Sequence, residues 1–168
     1  MAAFEDIKKV GVIGAGTMGR GIVMNFVNAG YPVTWLDVNG EMLEKGKVEI
    51  AAVYKRSVAQ ERFDDAEAQA RLARISTTQE YADLADLDLV VEAVYENMDL
   101  KKKIFTELDK AVKPSAILAT NTSYLDIDEI ASATQRPTQV LGLHFFSPAH
   151  IMKLLEVVRG KATAQDVM

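Results

Sequence analysis

Three glycines that follow a short apolar segment constrain the fold of this chain more than any other feature. Residues 10–13 read Val-Gly-Val-Ile, and Gly14, Gly16 and Gly19 come directly after them. The first glycine allows a tight turn, the second leaves room for a pyrophosphate, and the third lets the next helix pack closely on the strand. The N-terminus of that helix offers unpaired N–H groups to an anion. The pattern predicts a strand–turn–helix unit that binds a dinucleotide.

The sequence after this turn supports the same interpretation. Met18, Ile22 and Phe26 recur at helical spacing, so the predicted helix has one apolar face. Residues 32–36 predict a second strand, which ends at Asp37. A carboxylate at this point hydrogen-bonds the ribose hydroxyls of NAD and repels the additional phosphate of NADP. We expect NAD as the cofactor, and the predicted contacts from this part of the chain are Gly14, Ala15, Gly16, Thr17, Met18, Gly19 and Asp37.

Composition limits the classes of function. The chain has 168 residues, with 24 Asp or Glu against 19 Lys or Arg and a formal net charge of −5. This balance argues against a nucleic-acid partner and against a polybasic membrane segment, and no apolar run reaches the ~20 residues of a membrane span. The chain has no cysteine, which excludes disulfides and thiolate chemistry. We expect one NAD-binding domain over residues 1–168, with no metal site, and a cytoplasmic location if the chain is bacterial.

Strand and helix patterns alternate along the chain, as in an α/β protein. They predict a Rossmann-type, doubly wound, mostly parallel sheet with helices on both faces and strand order 3-2-1-4-5-6, plus a further strand at the edge. Residues 40–74 are rich in charge, which favours two solvated helices there; a projecting helical hairpin that touches a ligand is the alternative. The further predicted strands are 74–77, 87–94, 116–120, 140–146 and 154–158, and the further helical segments are 80–84, 99–112, 126–133 and a start within 163–168.

Polar side chains follow several of these strands at one edge of the sheet. Asp37, Glu96, Ser123 and His144 come at strand carboxyl ends, where open α/β sheets bind ligands. Histidine changes protonation near neutral pH, as a general base must. Glu156 lies among apolar residues of the next strand, and a buried carboxylate needs a partner. We predict a His144–Glu156 pair in which Glu156 orients the imidazole.

Each of these residues also has a purely structural interpretation. His144 would then be a core histidine bonded to a backbone carbonyl, and Ser123 part of an ordinary helix N-cap region. Spacing alone favours a surface ion pair for Glu96 and Lys101. His150 has no evident partner, and we assign it no role.

Five stretches of the chain together resemble the NAD-binding domain of the L-3-hydroxyacyl-CoA dehydrogenases. The spelling His-Phe-Phe-Ser-Pro-Ala-His is most similar to the dehydrogenase part of bifunctional enoyl-CoA hydratase/3-hydroxyacyl-CoA dehydrogenases of fatty-acid β-oxidation. The similarity covers nearly the whole chain. The matching stretches are Gly14–Gly19, Val91–Asn97, Asn121–Ser123, Gly142–Pro148 and Met152–Val158.

The resemblance implies that NAD oxidises the 3-hydroxyl of an acyl-CoA. His144 matches the family's catalytic base, which takes the hydroxyl proton while hydride leaves C3, and Glu156 matches its partner. Ser123 matches a serine that hydrogen-bonds the substrate oxygen and contacts the cofactor. Glu96 and Lys101 match residues that contact the ribose–nicotinamide end of NAD.

The sequence also departs from the family pattern. Ser147 stands where single-function members often have asparagine, so no cofactor contact is assigned to it, and no CoA ligand matches clearly within residues 40–74. Full-length members continue into a helical domain that covers the substrate, supplies an asparagine and makes most of the dimer interface. We expect the 168 residues alone to bind NAD, to turn over poorly, and to self-associate through apolar surface.

Two other functions remain open on the sequence. One is a different NAD-dependent β-hydroxyacid dehydrogenase, whose catalytic lysine would lie beyond these residues and which leaves His144 and Glu156 unexplained. The other is a non-catalytic dinucleotide-sensing module, for which His144→Ala would leave NADH affinity unchanged and acyl-CoA would have no effect.

Overall fold

Seven strands form one sheet in the computed structural model, which describes residues 7–168. The strands are β1 Val10–Ile13, β2 Val33–Leu36, β3 Ile75–Thr78, β4 Leu89–Glu92, β5 Ile117–Thr120, β6 Val140–Phe145 and β7 Leu155–Arg159. The helices are α1 Thr17–Asn28, α2 Gly40–Ala59, α3 Asp65–Ala73, α4 Met98–Ala111 and α5 Ile127–Ala131, with 3-10 turns at Tyr81–Leu84 and Pro137–Gln139. The strand order is β3-β2-β1-β4-β5-β6-β7. The predicted topology is confirmed.

The first six strands run parallel, and β7 pairs antiparallel with β6 at the edge. Successive residues of a strand face opposite sides of the sheet, so the central strands supply two cores. Val12 and Val91 belong to the core that packs against α1, α2 and α3. Val90 and Leu118 belong to the core under α4 and α5. Helices therefore cover both faces, and the carboxyl edge of the sheet is left for a ligand.

The charge-rich segment 40–74 forms the two predicted helices, but they are solvated only on their outer faces. The Asn39 side chain caps α2 by accepting from the N–H groups of Glu41 and Met42. On the inner face, Ile50 and Tyr54 are buried in the core. The Tyr54 hydroxyl donates to Asn28 at the end of α1, at 2.7 Å. The hairpin is therefore part of the packed domain.

Local sequence misled the prediction at two places. The helix expected within 163–168 does not form, because the Thr163 hydroxyl donates to the Val140 carbonyl at 2.6 Å and holds this segment as turns against β6. The strand expected over 87–94 ends at Glu92, because the Val94 N–H bonds to the Glu92 carboxylate at 2.7 Å instead of extending the sheet.

The edge strand β7 carries an exposed apolar surface. Leu155, Val157 and Val158 of the strand and Leu154 just before it are 38–57% exposed, and within residues 7–168 only β6 pairs with β7. An exposed edge with apolar side chains favours association with another chain.

Among the helices described in residues 7–168, no candidate for a membrane-spanning segment is found.

We predict that the 168-residue chain self-associates through this edge as its concentration rises. Val157→Lys places a charge on the edge and should weaken that association while leaving the fold intact. Sedimentation velocity over a wide concentration range measures both proteins. A wild-type chain that remains a monomer throughout would contradict the prediction.

Candidate active site

The glycine turn between β1 and α1 is fixed by close backbone contacts. Gly14 has φ +107°, and a Cβ added at Gly19 would lie 1.9 Å from the Gly14 carbonyl oxygen. The buried Trp35 indole donates to the same carbonyl at 2.8 Å. Only glycine allows this approach, so α1 begins close to the end of β1.

The N-terminus of α1 has the features of an anion site. Gly16 is its N-cap residue and no side chain caps it, whereas a side chain caps each of the other four α-helices. A Cβ added at Gly16 would meet no atom within 4 Å. Free N–H groups, the positive end of a helix dipole and open space above them fit a pyrophosphate. The capping side chains of the other helices are Asn39, Asp64, Asn97 and Asp126.

Asp37 lies at the end of β2, beside the turn, as predicted. Its carboxylate accepts from the Ala15 N–H and from the Asn39 N–H, both at 2.8 Å. Each oxygen keeps a second lone pair for a hydroxyl. Asp37 and Gly14 line a cavity of about 490 Å³ together with Tyr81 and Leu100. This half of the sheet edge suits an adenosine.

A second cavity, of about 560 Å³, lies on the other side of the turn. It brings together most of the site residues predicted from sequence, although they come from four separate segments of the chain. His144 lies inside β6, one residue before its end, and not beyond the strand. The predicted residues that line this cavity are Gly16, Thr17, Met18, Glu96, Lys101, Ser123 and His144.

The predicted His144–Glu156 contact is present. The two residues are paired in the register of β6 and β7, and Nδ1 of His144 lies 3.0 Å from Oε2 of Glu156. An ionised carboxylate only accepts, so Nδ1–H is the donor in this contact, and in a neutral imidazole Nε2 would then be the acceptor. The burial argument behind the prediction was wrong: the Glu156 side chain is 53% exposed and that of His144 20%.

Glu96 follows β4, and its carboxylate binds residues that follow β5. It accepts from the Thr122 hydroxyl at 2.7 Å and from both the N–H and the hydroxyl of Ser123 at 3.1 Å. Burial of Glu96 opposes its ionisation, but these hydrogen bonds and the Lys101 charge outweigh it and lower the pKa of Glu96 below its ordinary value. Ser123 is not a helix cap, because Asp126 caps α5.

Lys101 does not form a surface pair. Its side chain is 2% exposed, and its ammonium donates to Glu92 at 2.7 Å and to the Val94 carbonyl at 3.3 Å, with Glu96 at 3.4 Å. Glu92, which is fully buried at the end of β4, was not among the site residues predicted from sequence. The available signal was a charged residue within the mostly apolar segment predicted as a strand over 87–94.

The chain matches a known protein family over nearly its whole length. Residues 9–168 match the family model described as 3-hydroxyacyl-CoA dehydrogenase, NAD binding domain. The chain is 47% identical over 158 residues to the peroxisomal bifunctional enzyme of Cavia porcellus, which covers 94% of this chain and 22% of that protein. It is 40% identical to a probable 3-hydroxybutyryl-CoA dehydrogenase of Bacillus subtilis, covering 96% of this chain and 56% of that protein.

Solved structures show the same fold. The 3-hydroxybutyryl-CoA dehydrogenase of Escherichia coli K12 matches with a TM-score of 0.94 and 38% identity, covering 96% of this chain and 34% of that one. The dehydrogenase part of multifunctional enzyme 1 of C. elegans matches with a TM-score of 0.83 and 34% identity, covering 94% of this chain and 36% of that one. The chain spans about a fifth of the length of the bifunctional relatives that it matches.

Two glycine substitutions should separate the binding role of the turn from its structural role. Gly16→Ala places a methyl group in open space above the helix end, so it should change the free energy of unfolding by less than about 1 kcal/mol and weaken NADH binding about ten-fold. Gly19→Ala meets the Gly14 carbonyl, so it should destabilise the fold by about 2 kcal/mol or more.

Urea unfolding and NADH titration measure the two effects. Similar losses of stability in both variants would contradict the assignment.

Proposed function

Because the chain belongs to the 3-hydroxyacyl-CoA dehydrogenase family and covers its NAD-binding domain, we propose that it serves the NAD-dependent oxidation of an L-3-hydroxyacyl-CoA to the 3-oxoacyl-CoA. The pair of His144 and Glu156, held at 3.0 Å beside the cavity next to the glycine turn, carries this proposal. A bare dinucleotide-binding domain does not need a histidine paired with a carboxylate at that place.

The two cavities suggest how this chain would hold the cofactor. Gly16, Thr17 and Met18 would bind the pyrophosphate through backbone N–H groups at the start of α1. Asp37 would bind the adenosine ribose in the cavity on the β2 side, which leaves the nicotinamide end for the cavity on the β4–β6 side. Glu96 lines that second cavity and would bind the nicotinamide ribose. Lys101 has its ammonium directed at two carboxylates, so we assign it to holding Glu96.

The side chains around the second cavity would manage the proton of the substrate hydroxyl. Nε2 of His144 would take it as general base, and the Glu156 carboxylate would stabilise the imidazolium that results. The Ser123 hydroxyl, tethered to Glu96, would add a hydrogen bond to the substrate oxygen. When bound, NAD⁺ supplies the acceptor for the hydride of C3.

The cavity beside His144 is open to solvent in the part of the chain that the structure describes. Catalysis of this kind gains from exclusion of water and from closure over the substrate. The 168 residues alone should therefore bind NADH but turn over slowly.

We predict that the chain binds NADH at least about ten-fold more tightly than NADPH, because the Asp37 carboxylate repels the additional phosphate. Asp37→Asn keeps an acceptor for the Ala15 N–H but removes the charge, so it should reduce the difference in affinity between NADH and NADPH. Calorimetric titrations of each variant with both cofactors measure this difference. Equal affinity of the wild type for both cofactors would exclude the role given to Asp37.

Substitution of His144 tests its proposed role as the general base. NADH oxidation with acetoacetyl-CoA, measured at high protein concentration, should fall about 100-fold or more in His144→Gln. His150→Gln, which changes the other histidine, is the matched control and should keep wild-type turnover. If the wild type shows no turnover, the effect of acetoacetyl-CoA on NADH affinity becomes the test, and its absence would favour a dinucleotide-sensing module.

A further inference from the structure

Three buried or half-buried charges lie beneath the second cavity. Glu92 and Lys101 are 0% and 2% exposed at the side chain, and Glu96 is 25% exposed. The Lys101 ammonium lies 2.7 Å from Glu92 and 3.4 Å from Glu96. We call these residues the charge triad. Two carboxylates against one ammonium leave one negative charge.

Glu92 is the fixed point of the triad. One carboxylate oxygen accepts from the Val94 N–H and from Lys101, each at 2.7 Å, and the other accepts from the Thr120 hydroxyl at 2.7 Å. Well-packed apolar residues stabilise a core as well as a buried ion pair does, and often better. Stability alone therefore does not explain why the Glu92–Lys101 ion pair lies at the carboxyl edge of the sheet, and we look to the effect of its charges on a bound ligand.

Hydrogen bonds and a neighbouring ammonium surround the Glu96 carboxylate. Hydrogen bonds from Thr122 and Ser123 together with the Lys101 charge outweigh burial and lower the pKa of Glu96, so Glu96 is ionised at neutral pH. Lys101 is shared between the two carboxylates and cancels one of them. The remaining negative charge lies at the wall of the cavity that Glu96 and Lys101 both line.

We propose that Glu92 is a positioning residue that sets the preference of this site between oxidised and reduced NAD. Glu92 neutralises Lys101, so the charge of Glu96 is felt in the cavity. The nicotinamide ring is positively charged in NAD⁺ and neutral in NADH, so a net negative wall favours the oxidised form. This inference rests on the proposed function, which places the nicotinamide end in that cavity.

Glu92→Gln tests the proposal because it keeps the shape and an acceptor oxygen but removes one charge. The triad then has no net charge. The ratio of the Kd of NAD⁺ to the Kd of NADH should rise about six-fold, as expected for one charge acting over about 10 Å at an effective dielectric constant of about 30. Isothermal titration calorimetry of both cofactors measures this ratio without any turnover.

The double variant Glu92→Gln/Lys101→Met restores the net charge of the triad to that of the wild type. The ratio should return to within about two-fold of the wild-type value, even if both affinities fall together. Thr120→Val is the uncharged control, since it removes one hydrogen bond to Glu92 and no charge. Its ratio should match the wild type.

A purely structural role gives a different result. An unchanged ratio in Glu92→Gln, or an equal rise in the single and double variants, would overturn the proposal. If Glu92→Gln does not fold, the double variant carries the test, and a ratio more than two-fold from the wild type overturns it. A wild-type chain that binds neither cofactor would instead refute the proposed function itself.

Discussion

The contact between Gly19 and the Gly14 carbonyl is the constraint on which the rest of the site depends. With no Cβ at Gly19, α1 starts directly against the end of β1, and its uncapped N-terminus faces the carboxyl edge of the sheet. Trp35 from β2 holds the same carbonyl, and Asp37 holds the next N–H of the turn. Side chains from β2 and its end thus fix a backbone whose free N–H groups suit an anion.

Hydrogen bonds of polar side chains also connect the ends of β4, β5 and β6 along the carboxyl edge of the sheet. Glu92 accepts from the Thr120 hydroxyl, and its carbonyl accepts from the Asn121 N–H. The Asn121 side chain in turn accepts from the Phe145 N–H at 2.8 Å, next to His144. The strand ends that would supply binding and proton transfer are therefore tied to one another. Such networks keep a site rigid when every member is satisfied, and within the described residues no buried side-chain polar atom lacks a partner.

The antiparallel edge strand adds the last element of the site. A seventh strand is not needed to cover the core of the parallel sheet, since β7 is exposed along its length. Its register with β6 sets Glu156 opposite His144. The strand thus orients one imidazole, and the same apolar edge is open to association.

Local sequence was sufficient to predict the succession of strands and helices as far as β7, the glycine turn and the place of Asp37, because these follow from periodicity, spacing and motif. The His144–Glu156 pair was predicted partly from a burial argument that the structure does not support. Which charges are buried depends on the tertiary structure. Lys101 looked like a surface residue and is enclosed between two carboxylates, whereas Glu156 looked buried and is half exposed. The segment expected to form a last helix is held as turns by Thr163. Burial and capping depend on groups distant in the chain, and local sequence does not encode those neighbours.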